Sequence, residues 1–188
     1  MWSNGPGQAD ALDAGQIVIT AAAGSDWTND AFGGIHQHGA TSLGFVPDGD
    51  FLLSARVHVD GDRTTFDAGV LAVWSDRDHW AKLCFEFSPQ GQAMVVSVVT
   101  NRYSDDCNST VVSEGHVFLR VMRMGNGWAF HSSKDGLEWD FVRVFRLDNV
   151  GPAIVGFMAQ APAGDRCVAA FDMIEYRTGG LVDLRNGS

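Results

Sequence analysis

Period-two alternation of apolar and polar side chains constrains this chain more than any other feature. Across residues 51 to 59, Phe51, Leu53, Ala55, Val57 and Val59 fall on one side while Ser54, Arg56 and His58 take the other, the pattern of a strand with one buried face. Similar runs occupy 16–22, 68–75, 79–87, 93–101, 116–124, 127–133, 139–147, 153–161 and 168–177. They predict about a dozen short strands, and no stretch carries an amphipathic helical period. The 22 glycines fall mostly between these runs, where turns need them, while prolines number only 5. Such a succession predicts an all-β fold, a two-sheet antiparallel sandwich rather than an α/β architecture.

A chain of 188 residues, 45% hydrophobic, is long enough for one well-buried core, and a sandwich of this size need not divide. We therefore expect one domain over 1–188, with 177–188 as a loose C-terminal tail. No run reaches the length of a membrane span, so no membrane partner is expected. Thirteen basic against 23 acidic side chains give a net charge of −10. That charge would repel a phosphate backbone, which argues against nucleic acid as a partner. The opening MWSNGPGQADALDAG has neither a basic nor an apolar stretch of the secretory kind. Cys84, Cys107 and Cys167 are odd in number and show no CxxC spacing, which fits reduced thiols and a cytoplasmic location.

The strands can be set in phase with one another. Leu71 and Val73, Leu83, Phe85 and Phe87, Val99, Leu119 and Val121, Trp128 and Phe130, and Val155, Phe157 and Ala159 would then fill the space between the sheets. The opposite faces carry Trp74, Lys82, Cys84, Glu86, Thr100, Arg120, His131, Ser133, Met158 and Gln160. A merely solvated face would show scattered Lys, Glu and Thr, not a tryptophan and a glutamine among opposite charges. Lys82 and Glu86 lie four apart on one strand and so share a face. Two readings stay open for them: a structural ion network, or a ligand groove with Trp74 as a stacking platform. In the second, Trp74, Lys82, Glu86, Thr100, Arg120, His131 and Gln160 bind the ligand.

The order WSNGP near the start, GSDW at 24–27, FDAGVLAVW at 66–74, WAKLCFE at 80–86, SVVTNRYSD at 97–105, LRVMR at 119–123, SSKDGLEW at 132–139, VGFMAQAP at 155–162 and FDMIEY at 171–176 resembles an uncharacterised family named after a regulation-of-enolase protein. The similarity runs over nearly the whole chain. It implies a concanavalin A-like lectin/glucanase jelly roll, and it implies little chemistry, since fold does not fix function. It leaves room for one inorganic cofactor, a structural Ca²⁺, with Asp172 as a candidate ligand because related jelly rolls use a late-strand Asp in this way. No other cofactor is expected.

Motif by motif, the structural explanations are strong. In SSKDGLEW, Ser133 or Asp135 would bond turn amides while Trp139 packs on the returning strand. The segment SDRDH between FDAGVLAVW and WAKLCFE makes a hairpin loop that brings Trp74 beside Lys82 and Glu86. A glycosidase needs two carboxyl groups about 5–9.5 Å apart, and the Glu86 strand offers one, so no catalytic residue is assigned. His36 and His38 in a Gly-rich loop, and the loop acids Asp60, Asp62, Asp76, Asp78, Asp105 and Asp106, lack metal-site spacing. Cys84 reads as an inert thiol. Three functions follow: a non-catalytic module binding a carbohydrate or similar small polar ligand, an interaction protein acting on a metabolic enzyme, as the family name suggests, or a cryptic hydrolase or lyase.

Overall fold

The computed structural model describes residues 1–12, 15–148 and 151–188, and among them finds fifteen strands and no helix. No described helix is long and apolar enough to cross a membrane. One sheet has seven strands in the spatial order β1 (Gln8–Leu12), β2 (Gln16–Ala22), β15 (Arg166–Thr178), β6 (Phe51–Val59), β11 (His116–Met124), β12 (Gly127–Ser133) and β13 (Asp140–Phe145). The other has six, β10 (Tyr103–Val111), β9 (Ala93–Asn101), β8 (His79–Phe87), β7 (Ala68–Asp76), β14 (Ile154–Gln160) and β5 (Leu43–Phe45). A separate two-stranded hairpin joins β3 (Trp27–Asn29) to β4 (His36–His38). The described pairings are antiparallel, and the two large sheets form the expected jelly-roll sandwich.

Side chains meet between the sheets in the predicted phase. Leu71, Val73, Leu83, Phe85, Val99, Leu119, Val121, Trp128, Phe130, Val155, Phe157 and Ala159 all belong to one buried cluster, with Phe51, Leu53, Ala55 and Val57 of β6. Removing a fully buried side chain such as Phe130 from so dense a core costs about 3–5 kcal/mol. Close approach at the β5–β14 edge needs two glycines. Gly44 faces Gly156 across the ladder, and a Cβ on either would strike the other strand's backbone.

A second apolar cluster lies on the outer face of the six-stranded sheet. Val70, Ala72, Trp74, Trp80, Cys84, Val96, Val98 and Met158 project there, and Trp27 and Ala40 from the β3–β4 hairpin region close over them. Trp27 is fully buried, its ring 4.6 Å from Trp74 and 5.8 Å from Trp80, while its indole N–H donates to the Ala40 carbonyl at 2.7 Å. The expected open groove is therefore roofed over much of its length. Aromatic burial drives this, since a tryptophan removes 150–250 Å² from water.

The outer face of the seven-stranded sheet is covered too, by residues expected to form a loose tail. Leu181 and Leu184 pack on Leu52, Met122 and Ala129. Carbonyls of Leu184 and Gly187 accept hydrogen bonds from His131 and Arg120. Apolar anchors and buried donors together hold residues 181–187 against the sheet, which a tail of polar composition alone would not do.

Candidate functional site

Strand parity assigns a residue to the inside or outside of its sheet, but it does not say which sheet the strand joins. Trp74, Lys82, Glu86, Thr100 and Gln160 lie on the outer face of the six-stranded sheet. Arg120 and His131 lie opposite each other on β11 and β12 in the other sheet. The single groove expected from the sequence is thus two separate places on opposite sides of the sandwich.

Lys82, Glu86 and Gln160 do converge. The Lys82 ammonium donates to Asp26 Oδ1 at 2.6 Å and to Gln160 Oε1 at 2.9 Å. The Gln160 amide in turn donates to the Phe66 carbonyl at 2.9 Å and reaches Glu86 Oε2 at 3.5 Å. Lys82 is 4% exposed, Glu86 9% and Gln160 1%. These groups line a cavity of about 250 Å³ floored by Val96 and Val98, with Phe66, Asp106 and Asn108 around it. Phe66 has φ +70°, which a bulky residue adopts at a cost. That conformation is compatible with its amide donating to Phe87 O while its carbonyl accepts from Gln160, and its ring stays 41% exposed at the rim.

Electrostatics in this cavity are set by burial. Glu86 is pushed up to about 7 by desolvation, with Lys82 opposing and Asp26 and Asp106 adding to the rise. Asp106 stands on the exposed edge strand, yet its carboxyl is also raised, by partial desolvation first and by the charges of Asp26 and Asp105, against the pull of Lys82. Burial, the largest single influence, pulls Lys82 down, but the charge and hydrogen bond of Asp26, with neighbouring Cys84 and Glu86 adding to them, together raise it and keep the ammonium charged. Cys84, next along the strand, is raised well above the ordinary thiol range by burial. It stays a neutral thiol, as the sequence suggested.

The remaining expected ligand residues are occupied otherwise. Trp74 is only 6% exposed, beneath Trp27 and with the His38 ring 5.6 Å away, so it is packing and not a stacking platform. Thr100 is buried and bonds Ser104 at 3.0 Å, whose hydroxyl accepts from the Asn29 amide and so pins the hairpin. Arg120 lies over Trp139 at 4.1 Å and donates to Gly187 O at 2.9 Å, without a carboxylate partner among the described residues; burial and then Arg177 lower it to about 10. His131 donates through Nε2 to Leu184 O at 2.8 Å, and burial lowers it to about 4. Asp172, the candidate calcium ligand, instead grips Arg56 through two hydrogen bonds of 2.8 and 2.7 Å. No group of three or more His, Cys, Asp or Glu is placed to hold a metal among the described residues.

Among the lining residues that the sequence does not mark as ligand contacts are Asp26, Phe66 and Asp106, the last expected in a loop but standing on β10. Asp26 was part of GSDW, and Phe66 began FDAGVLAVW, but neither lies in an alternating run whose phase could aim it. A larger cavity of about 470 Å³ lies between Trp2, Gly7, Ile19, Ala21, Thr41 and Ala159. It gathers no buried charged side chain, whereas binding sites are marked by a few convergent polar groups. The smaller cavity is the better candidate.

Comparison with known proteins agrees with the fold. Residues 2–179 match the family described as "Protein of unknown function (DUF1349)". That description carries no enolase connection. No functionally curated protein matches the chain. A functionally unknown protein from Saccharomyces cerevisiae is similar in structure, with a TM-score of 0.85 and 24% identity over 96% of both chains. The GH43 BlXynB protein from Bacillus licheniformis superposes with a TM-score of 0.68 at 11% identity, over 87% of this chain and 33% of that one. The VIP36 exoplasmic/lumenal domain, in its Ca²⁺/Man3GlcNAc-bound form, gives 0.52 at 11% identity, over 97% and 85% of the two chains. At these identities the likeness speaks for the jelly-roll fold alone.

Proposed function

This chain belongs to the DUF1349 family, whose function is unknown, and from that premise we propose that it is a non-catalytic protein binding a carbohydrate or similar small polar ligand. The observation that carries this reading is the buried Lys82–Gln160–Glu86 array opening into a cavity with an exposed aromatic, Phe66, at its rim. Sugars ask for this combination. Their hydroxyls need fixed donors and acceptors, and their apolar C–H faces pack on an aromatic ring. A lectin-like neighbour that is itself bound to Man3GlcNAc supports the reading by analogy of fold. Three free thiols match a reducing compartment, and the cytoplasm is the proposed location.

A glycan array followed by calorimetry tests this. Gln160→Ala should weaken the binding of any glycan hit by about 1–3 kcal/mol, the cost of leaving charged partners short of a hydrogen bond. An array with no hits, or hits that Gln160→Ala leaves untouched, would sink the proposal. One observation favours a second reading, an interaction protein: Phe32 is 99% exposed and Ile35 69%, both in the β3–β4 hairpin loop. Under that reading Phe32→Ser abolishes capture of a metabolic enzyme, while Gln160→Ala does not.

A further inference from the structure

Formal charge in the cavity is unbalanced. Asp26, Glu86 and Asp106 face one ammonium, Lys82, and that ammonium is already committed to Asp26 at 2.6 Å and Gln160 at 2.9 Å. Asp26 accepts both its bonds, from Lys82 and from the Trp27 amide, through Oδ1, so Oδ2 is left without a described donor. Glu86 is nine-tenths buried, and its one described donor is the Gln160 amide at 3.5 Å, the outer limit of a hydrogen bond. Asp106 accepts no hydrogen bond from the described residues. Two further cations stand near: Arg63 donates through Nη2 to the carbonyls of Asp67 and Phe85, and Arg143, whose charge is felt at Asp106, is paired with Asp105. A buried carboxyl so poorly supplied with donors is costly unless something else brings them.

Resting on the reading of this cavity as a sugar site, we infer that its ligand is an amino sugar bearing a free, protonated amine, with the ammonium seated against Glu86 and Asp106. An ammonium brings three donors and one positive charge, which Glu86, Asp106 and the free oxygen of Asp26 lack. A bare divalent cation fits less well, since Ca²⁺ takes six to eight oxygens at about 2.3–2.6 Å and no described group of acids is drawn together in that way. Acidic sugars are excluded on the same ground, because a uronate would meet uncompensated carboxylates in a protein of net charge −10. The exposed Phe66 ring then faces the sugar's C–H surface while the amine goes inward.

The test is calorimetry of the full chain with matched tetrasaccharides of glucosamine, galactosamine and mannosamine. Each is compared with its N-acetylated form, its hydroxyl form and the corresponding uronic acid. At pH 7 and low salt one free-amine tetramer should bind at least about tenfold tighter than its acetylated and hydroxyl counterparts, with the uronate not binding. Glu86→Gln and Asp106→Asn should each remove about five- to tenfold of that preference, weakening the free-amine sugar more than its hydroxyl counterpart. Asp106 lies on an exposed strand, so its variant keeps the test open if Glu86→Gln fails to fold. Equal or tighter binding of an acetylated or hydroxyl sugar would overturn the amine while leaving a sugar site in place. So would Ca²⁺ binding that Glu86→Gln abolishes. Failure of every sugar in the set to bind would overturn both readings.

Discussion

Glu86 makes the folded protein sensitive to pH in a direction opposite to that of a salt-bridged acid. Its carboxyl, ordinarily near 4.5, is held up at about 7, first by burial. Below about pH 4.5 it is protonated both in the fold and in the unfolded chain. Between 4.5 and 7 the unfolded chain gives up the proton and the fold keeps it, so stability falls as pH rises through that window. We expect Glu86→Gln to be more stable than the parent at pH 8 by about 1–3 kcal/mol, and the gap to close below pH 4.5. Urea melts at the two pH values measure it, and a variant less stable at pH 8 would refute the account. Trp74 yields a different expectation. Because Trp27 covers it, Trp74→Ala should cost about 3–5 kcal/mol of stability through the cavity it leaves. Affinity measured on the folded fraction should barely change.

At the level of elements, alternation located most strands because it reports burial on one face. The runs 16–22, 51–59, 79–87, 93–101, 116–124 and 127–133 coincide with β2, β6, β8, β9, β11 and β12. β10 was invisible: as an edge strand reading YSDDCNSTV it is exposed along almost all its length, so no apolar period marks it. The hairpin strands β3 and β4 hold three residues each, too few to show a period. Lys82, Glu86 and Gln160 were legible as one site because their strands pair through β7, whereas Arg120 and His131 shared their parity but not their sheet. The packing of the C-terminal segment is not legible for a related reason, since Leu181 and Leu184 are too few to reveal a partner surface. Its docking has a sensitive point at Gly187, at φ +76°, where a Cβ would come within 2.5 Å of Arg120 Nη2 and 2.6 Å of Trp139 Cβ. Gly187→Ala should therefore release residues 181–188, seen as faster amide exchange there and a loss of about 1–3 kcal/mol. Exchange unchanged across the segment would mean the docking does not depend on that contact.

Across the whole molecule, the sandwich core is separate from two outer layers, the hairpin over one sheet and the C-terminal segment over the other. The three thiols sit at different depths in this arrangement. Cys107 is exposed on edge strand β10, Cys84 is buried beneath the hairpin with Trp27, and Cys167 belongs to the core between the sheets. Reactivity follows access and thiolate character, and burial raises Cys84 well above the ordinary range and Cys167 to about 12. In the native protein one thiol should titrate rapidly with a disulfide reagent at pH 8, and three after unfolding. Trp27→Ala should separate the layers. Losing the ring that seals the outer cluster opens the hairpin without touching the core, so Cys84 becomes reactive while Cys167 stays protected, giving two fast thiols. Three fast thiols in that variant would mean that the hairpin and the core unfold as one cooperative unit. One would mean that the hairpin is held by Asn29, Ser104 and Asp26 even without its tryptophan.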